Sequence, residues 1–168
     1  MPTAVTRILL SLLLLLPLAA HAGDAQDFVT ANPAKQASLL ERWSAAPDAA
    51  RLPLLEALQQ GRVAADSAKT AFIETAGNYQ AAEGEAQPLD TPKKLRLNNR
   101  LRGLIATAVA SHQLLVDDPV LRLAAAQQLQ KSAKPAQLQL LNAQVASETD
   151  DAVRDALTLA LANLQLVD

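Results

Sequence analysis

The sequence predicts an all-α protein made of HEAT-like antiparallel helix pairs, with one short β-hairpin or loop insert. Three observations lead there. Large rings are almost absent, Phe28, Trp43, Phe72 and Tyr79 being all of them, so a core must be built from Leu, Ala and Val, which suits helices packed closely on helices. Pro, Asn, Asp and Gly fall where helices of ordinary length would start and stop. An Asp-x-x-(Val/Leu)-Arg-x-x-Ala pattern also recurs: Asp118, Leu121, Arg122, Ala124 and Leu129 match Asp150, Val153, Arg154, Ala156 and Leu161 at an offset of 32.

Residues 1–22 read as a cleavable export signal. Arg7 supplies the positive start, Ile8 to Leu16 is apolar apart from Ser11, Pro17 breaks the run, and Ala20-His21-Ala22 offers small residues to a signal peptidase before Gly23. The apolar run is short for a bilayer core of roughly 30 Å, which needs about 20 residues. This places the mature chain, 23–168, in the periplasm as one domain.

Residues 23–61 predict a first helix pair. Asn32-Pro33 is an N-cap followed by proline at the first helical position, with Ala37, Leu40 and Trp43 on one face. Pro47-Asp48 makes a turn, Pro53 sits in the first turn of a second helix through Leu54, Ala57 and Leu58, and Gly61 stops it. Residues 62–95 predict the insert. Phe72 to Thr75 and Tyr79 flank a turn at Ala76-Gly77-Asn78, and 81–92 is a polar solvent loop.

Residues 96–168 predict helical repeats. A helix over 97–115 carries Leu101, Leu104, Ile105 and Ala108. Asp118-Pro119 starts another with Leu121, Ala124, Ala125 and Leu129 on one face. Pro135 starts a third with Leu138, Leu141 and Val145. Thr149 or Asp150 caps a last helix whose stripe is Val153, Ala156, Leu157, Ala160, Leu161 and Leu164. Arg51-Leu52 with Leu58 matches Arg122-Leu123 with Leu129 at an offset of 71, about two periods. The arginine near each helix start could reach an acidic group of the adjacent repeat.

Arg7 is the one Lys or Arg before Gly23, so the mature part holds 14 basic and 17 acidic side chains, a net charge of −3. That balance argues against a general binder of nucleic acid. Without cysteines there is neither a disulfide framework nor a thiolate metal site. His112 is the one histidine after the signal, on a helix, where a packing role is expected. No serine-nucleophile elbow, phosphate-binding glycine loop or zinc spacing occurs. Asp117-Asp118 and Asp150-Asp151 fall at helix starts, where the macrodipole explains them. The sequence therefore predicts no catalytic residue, no cofactor and no metal ligand.

One segment stands apart. Lys93, Lys94, Arg96, Arg100 and Arg102 place five cations within ten residues and no anion, around Asn98-Asn99. It reads either as a solvated helix face or as a docking patch for an acidic partner or for lipid headgroups at a membrane surface. Nucleic acid is disfavoured because no aromatic stacking residues accompany it.

Taken in order, "RLPLLEALQQGRVAADS" (51–67), "AFIETAGNYQAAEGE" (71–85), "KKLRLNNRLRGLI" (93–105) and "DDPVLRLAAAQQLQKSAKPAQLQLL" (117–141) resemble a known arrangement. They look like the N-terminal extracytoplasmic region of the permease subunit of the urea ABC transporter, in the branched-chain amino-acid permease-like family. The resemblance covers essentially all of 23–168, with "LRLNNRLR" its most specific part. It implies a role in urea import on the periplasmic side of the bacterial inner membrane. The implied partners are a second permease, a substrate-binding protein and ATPase subunits. Pore-forming helices follow in that family; they are not in these 168 residues, so its pore residues map to no position here. The alternatives are a free-standing periplasmic helical-repeat adaptor and an exported enzyme.

Overall fold

The computed structural model describes residues 23–166; the export signal lies outside the described residues. The chain folds as α1 (Asp24–Thr30), α2 (Pro33–Ala45), a 3-10 turn (Ala49–Arg51), α3 (Leu52–Gln59), β1 (Val63–Ala65), β2 (Ala71–Thr75), β3 (Asn78–Ala81), β4 (Lys93–Lys94), α4 (Asn99–Gln113), α5 (Pro119–Ser132), a 3-10 turn (Pro135–Gln137), α6 (Leu138–Ser147) and α7 (Asp151–Gln165).

The all-α expectation is corrected. Four strands form one antiparallel sheet in the order β3-β2-β1-β4, so the architecture is mixed α/β and helix-rich. The expected hairpin is its outer half, with Phe72 opposite Ala81 and Thr75 opposite Asn78. Its turn is Ala76-Gly77 alone, both at positive φ, +50° and +82°, and Asn78 already belongs to β3. Two positive φ values match the right-handed twist of the flanking strands. The inner half, β1 paired with β2 through Ala64 opposite Phe72 and with β4 through Ala64 opposite Lys94, has no local signature. It is made of Val-Ala-Ala and Lys-Lys, and β1 and β4 lie some thirty residues apart.

The helices start where their caps dictate. The side chains of Asn32, Asn98, Asp118 and Asp150 each accept a backbone N–H from the first turn of α2, α4, α5 and α7. Asp48 caps the first 3-10 turn in the same way. Gly61, at φ +66°, lets the chain leave α3 in a conformation that a Cβ disfavours. The helix expected over 97–115 is α4, starting two residues later behind Asn98.

Two apolar clusters meet along α4. The first joins Phe28, Leu40, Trp43, Leu55 and Leu58 to Val63 and to Leu101, Ile105 and Ala108 of α4. Phe28 and Trp43 stack at 6.0 Å between centroids. The sheet segment is therefore no detached insert, since Val63, Ile73 and Leu95 pack into this cluster. The second joins Ala110 and Leu114 to α5, α6 and α7 through Ala125, Leu129, Leu141, Val153, Leu157 and Leu164. On α7 the expected stripe is inward, with Leu161 half-buried. On α5 the register differs. Ala125, Ala126 and Leu129 are buried while Leu121 and Ala124 are exposed, and on α6 Leu138 is also exposed.

Candidate functional site

The five cations do not share one helix. Lys93 and Lys94 form β4, at the edge of the sheet. Arg96 lies in the connection to α4, and Arg100 and Arg102 sit in the first two turns of α4. All five side chains belong to exposed residues. The structure thus spreads them along a ribbon from sheet edge to helix start.

Their partners differ. Lys94 pairs with Glu74 across the sheet, which raises the ammonium pKa through a hydrogen bond and the nearby charge. Arg100 approaches Glu41 of α2 at 3.8 Å with 73% of its side chain exposed, a separation at which a surface pair contributes little. Arg102 Nε donates to the Leu97 carbonyl at 3.1 Å. Lys93 and Arg96 have no ion-pair partner among the described residues.

Helix stability does not account for the arginines. The first turn of α4 contains no acidic residue, and cations there oppose the helix macrodipole. Asn98, whose Oδ1 accepts the Leu101 N–H at 2.9 Å, supplies the cap. An Asn three residues before an apolar position is the signal that marks it. Beside the ribbon lies a cleft of about 300 Å³ lined by Leu58, Gly61, Leu95, Leu97, Arg102 and Ile105. Its lining is mixed, with Leu58, Leu95, Leu97 and Ile105 beside Gln59, Gln60 and one guanidinium, that of Arg102. The sequence placed the cations but not the cleft, which needs the end of α3 brought against the start of α4.

Arg51 and Arg122 reach carboxylates of neighbouring elements as expected, whereas Arg154 pairs with Asp151 of its own helix, Nη1 to Oδ1 at 2.7 Å. Arg51 Nε donates to Asp24 Oδ2 at 2.6 Å and its guanidinium lies 5.1 Å over the Trp43 ring. Arg122 grips Glu148 in a fork, Nε to Oε2 at 2.8 Å and Nη2 to Oε1 at 2.9 Å. Arg154 donates to the Glu148 carbonyl from two nitrogens. Both arginines of the 32-residue repeat thus converge on Glu148, at the connection between α6 and α7. The hydrogen bonds from Arg122 hold the Glu148 carboxyl down at about 2, against the opposing effect of burial. Glu148 carries no repeat signature of its own, so the sequence did not single it out.

Asp66 was also missed. Buried at the end of β1, its carboxylate accepts the N–H groups of Thr70 and Leu89 at 2.9 and 3.1 Å. With Asp90 accepting from Ser67, it ties the polar 81–92 loop to the sheet.

His112 is fully buried on α4. Its Nδ1 lies 2.7 Å from the Ala108 carbonyl, so that nitrogen carries the proton, and Nε2 is enclosed without a partner. Burial pushes its pKa down to about 4, with the Arg51 charge adding to the effect. A ring closed off from solvent holds a place in the core and has no route to a substrate. Among the described residues, no His, Asp and Glu side chains gather in the groups of three or more that a metal ion needs. No described helix is long and apolar enough to cross a membrane.

Fold and surface together define a helix-rich α/β protein with a cationic ribbon beside a cleft of mixed polarity. In comparisons with known proteins, no family model matches the chain, and no curated protein or solved structure does either.

Proposed function

We propose that this chain is an exported accessory domain of a urea-type ABC importer, held on the periplasmic side of the inner membrane and engaging other importer subunits through its cationic ribbon. The observation that carries the reading is the basic segment. It contains the "LRLNNRLR" stretch (95–102) on which the resemblance to the permease region is strongest, its cations are exposed, and Arg100 and Arg102 are placed against the α4 dipole. Lys93 and Arg96, which have no ion pair among the described residues, and Arg100, whose pair with Glu41 is long and exposed, are placed to meet an acidic surface.

The test is urea uptake in cells whose importer permease carries this region with Arg96→Gln, Arg100→Gln and Arg102→Gln together, alongside thermal melting of the same variant protein. The expected result is reduced uptake with an unshifted or slightly raised melting temperature, because neutralising like charges relieves repulsion. Wild-type uptake with an unshifted melt would return the ribbon to a solvated surface.

A further inference from the structure

We infer that copies of this chain associate head to tail, the acidic and apolar start of α5 on one copy seating in the cationic cleft beside the start of α4 on the next. This goes beyond the importer reading and stands apart from it, since the occupant is a second copy.

One end of the contact is the cleft between the end of α3, the 95–97 segment and α4. A water molecule claims about 30 Å³ of liquid, so a cavity of about 300 Å³ has room for branched aliphatic side chains. Arg102 is part of its lining; Arg96 lies in the chain between two lining residues, Leu95 and Leu97, and Arg100 follows in the first turn of α4.

The other end has the opposite chemistry. At the far terminus of α4 the chain turns into α5, where Val120 is 71% and Leu121 44% exposed, large aliphatic groups facing solvent. Asp117 and Asp118 precede them and are exposed. The Arg122–Glu148 fork joins this corner to the start of α7, where Asp155 is exposed and Asp151, also exposed, is paired with Arg154. Protruding aliphatics beside carboxylates match the leucine and isoleucine wall of the cleft in polarity and its Arg102 guanidinium in sign.

The two ends cannot satisfy each other within one copy. Fifteen residues of α4 separate them, a rod of about 22 Å at about 1.5 Å per residue. A contact of the cleft with the same cleft of a second copy would oppose like charges, which is unfavourable. Cleft-to-corner contacts close as a two-fold pair where antiparallel α4 helices make both at once, and otherwise propagate until a ring closes.

The experiment is sedimentation velocity on the purified mature chain, 23–168, over rising protein concentration, at about 20 mM and about 500 mM salt, since screening shortens the reach of charge from tens of ångströms to a few. The wild type should rise to about twice the monomer mass or more at low salt and return to monomer at high salt. Two variants isolate the ends, Arg96→Gln/Arg100→Gln/Arg102→Gln and Asp117→Asn/Val120→Ser, all at exposed positions, with melting curves to verify folding. Each alone should stay monomeric. An equimolar mixture should give dimers and nothing larger, because each variant keeps one competent end. A wild type that stays monomeric at low salt overturns the inference, as does a variant that self-associates like the wild type. Wild-type protein that ignores itself but floats with anionic phospholipid vesicles would assign the ribbon to lipid and likewise overturn it. None of these outcomes is the uptake result, so failure here leaves the importer reading to its own test.

Discussion

Replacing His112 by Leu should flatten the acid limb of the stability curve. The ring is fully buried with Nε2 unpartnered, and its folded-state pKa of about 4 lies below the ordinary value of 6.5. Above pH 6.5 the histidine is neutral in both states and contributes no slope. Between 6.5 and 4 the unfolded chain binds a proton that the folded chain refuses, so stability falls as pH drops. At about 1.4 kcal/mol per pH unit, the loss approaches about 3 kcal/mol by pH 4 and is about 2 kcal/mol at pH 5. Three charged groups act on the ring. The Arg51 guanidinium works with burial, while Asp48 and Asp24 oppose it more weakly. Leucine removes the enclosed Nε2 and leaves the Ala108 carbonyl its own helical hydrogen bond. The assay is urea unfolding of both proteins at half-unit steps from pH 4.5 to 7.5. Carboxylate titrations common to both cancel in the difference. The variant should gain on the wild type by about 2 kcal/mol between pH 7.5 and pH 5. Parallel curves would refute the reasoning, because they would mean that the ring takes up its proton in the folded state as readily as in the unfolded one.

Three further predictions follow from the packing. Leu157→Ala, at a fully buried position of the second cluster, should destabilise by about 2–5 kcal/mol in denaturant unfolding; a negligible change would place the α7 stripe in solvent. Ala76→Asn should raise the melting temperature, with a gain of up to about 1 kcal/mol, because alanine at φ +50° is strained where asparagine is tolerated. A double-mutant cycle on Arg122→Gln and Glu148→Gln should give a coupling of about 1–3 kcal/mol at pH 7. That coupling should persist above pH 4.5 and vanish as pH falls toward 2, where the carboxylate that Arg122 holds down is finally protonated.

Much of the α-helical grammar is local, and so was legible. Asn32, Asp118 and Asp150 act through hydrogen bonds spanning two or three residues, which leaves a mark on adjacent letters. The α7 stripe is legible because one helix face meets one partner layer. The α5 register was misread because that helix is apolar on more than one side. Leu121 and Ala124 fit a helical spacing as well as Ala125 and Leu129 do, and the positions of α4 and α7 together decide which pair is covered.

The candidate site divides along the same line. Charge and its density belong to the letters, so the cations of 93–102 were visible before any fold. Their arrangement belonged to pairings that composition does not encode. A two-residue strand of lysines becomes β4 only because Ala64 and Ala65 of β1 lie beside it. Glu74 reaches Lys94, and Glu41 approaches Arg100, from segments twenty and fifty-nine residues earlier. The four-stranded sheet, the cleft beside Arg102 and the convergence of Arg122 and Arg154 on Glu148 all join residues remote in sequence. Such contacts depend on loop closure and on which surfaces are left to be covered, and those are properties of the whole chain.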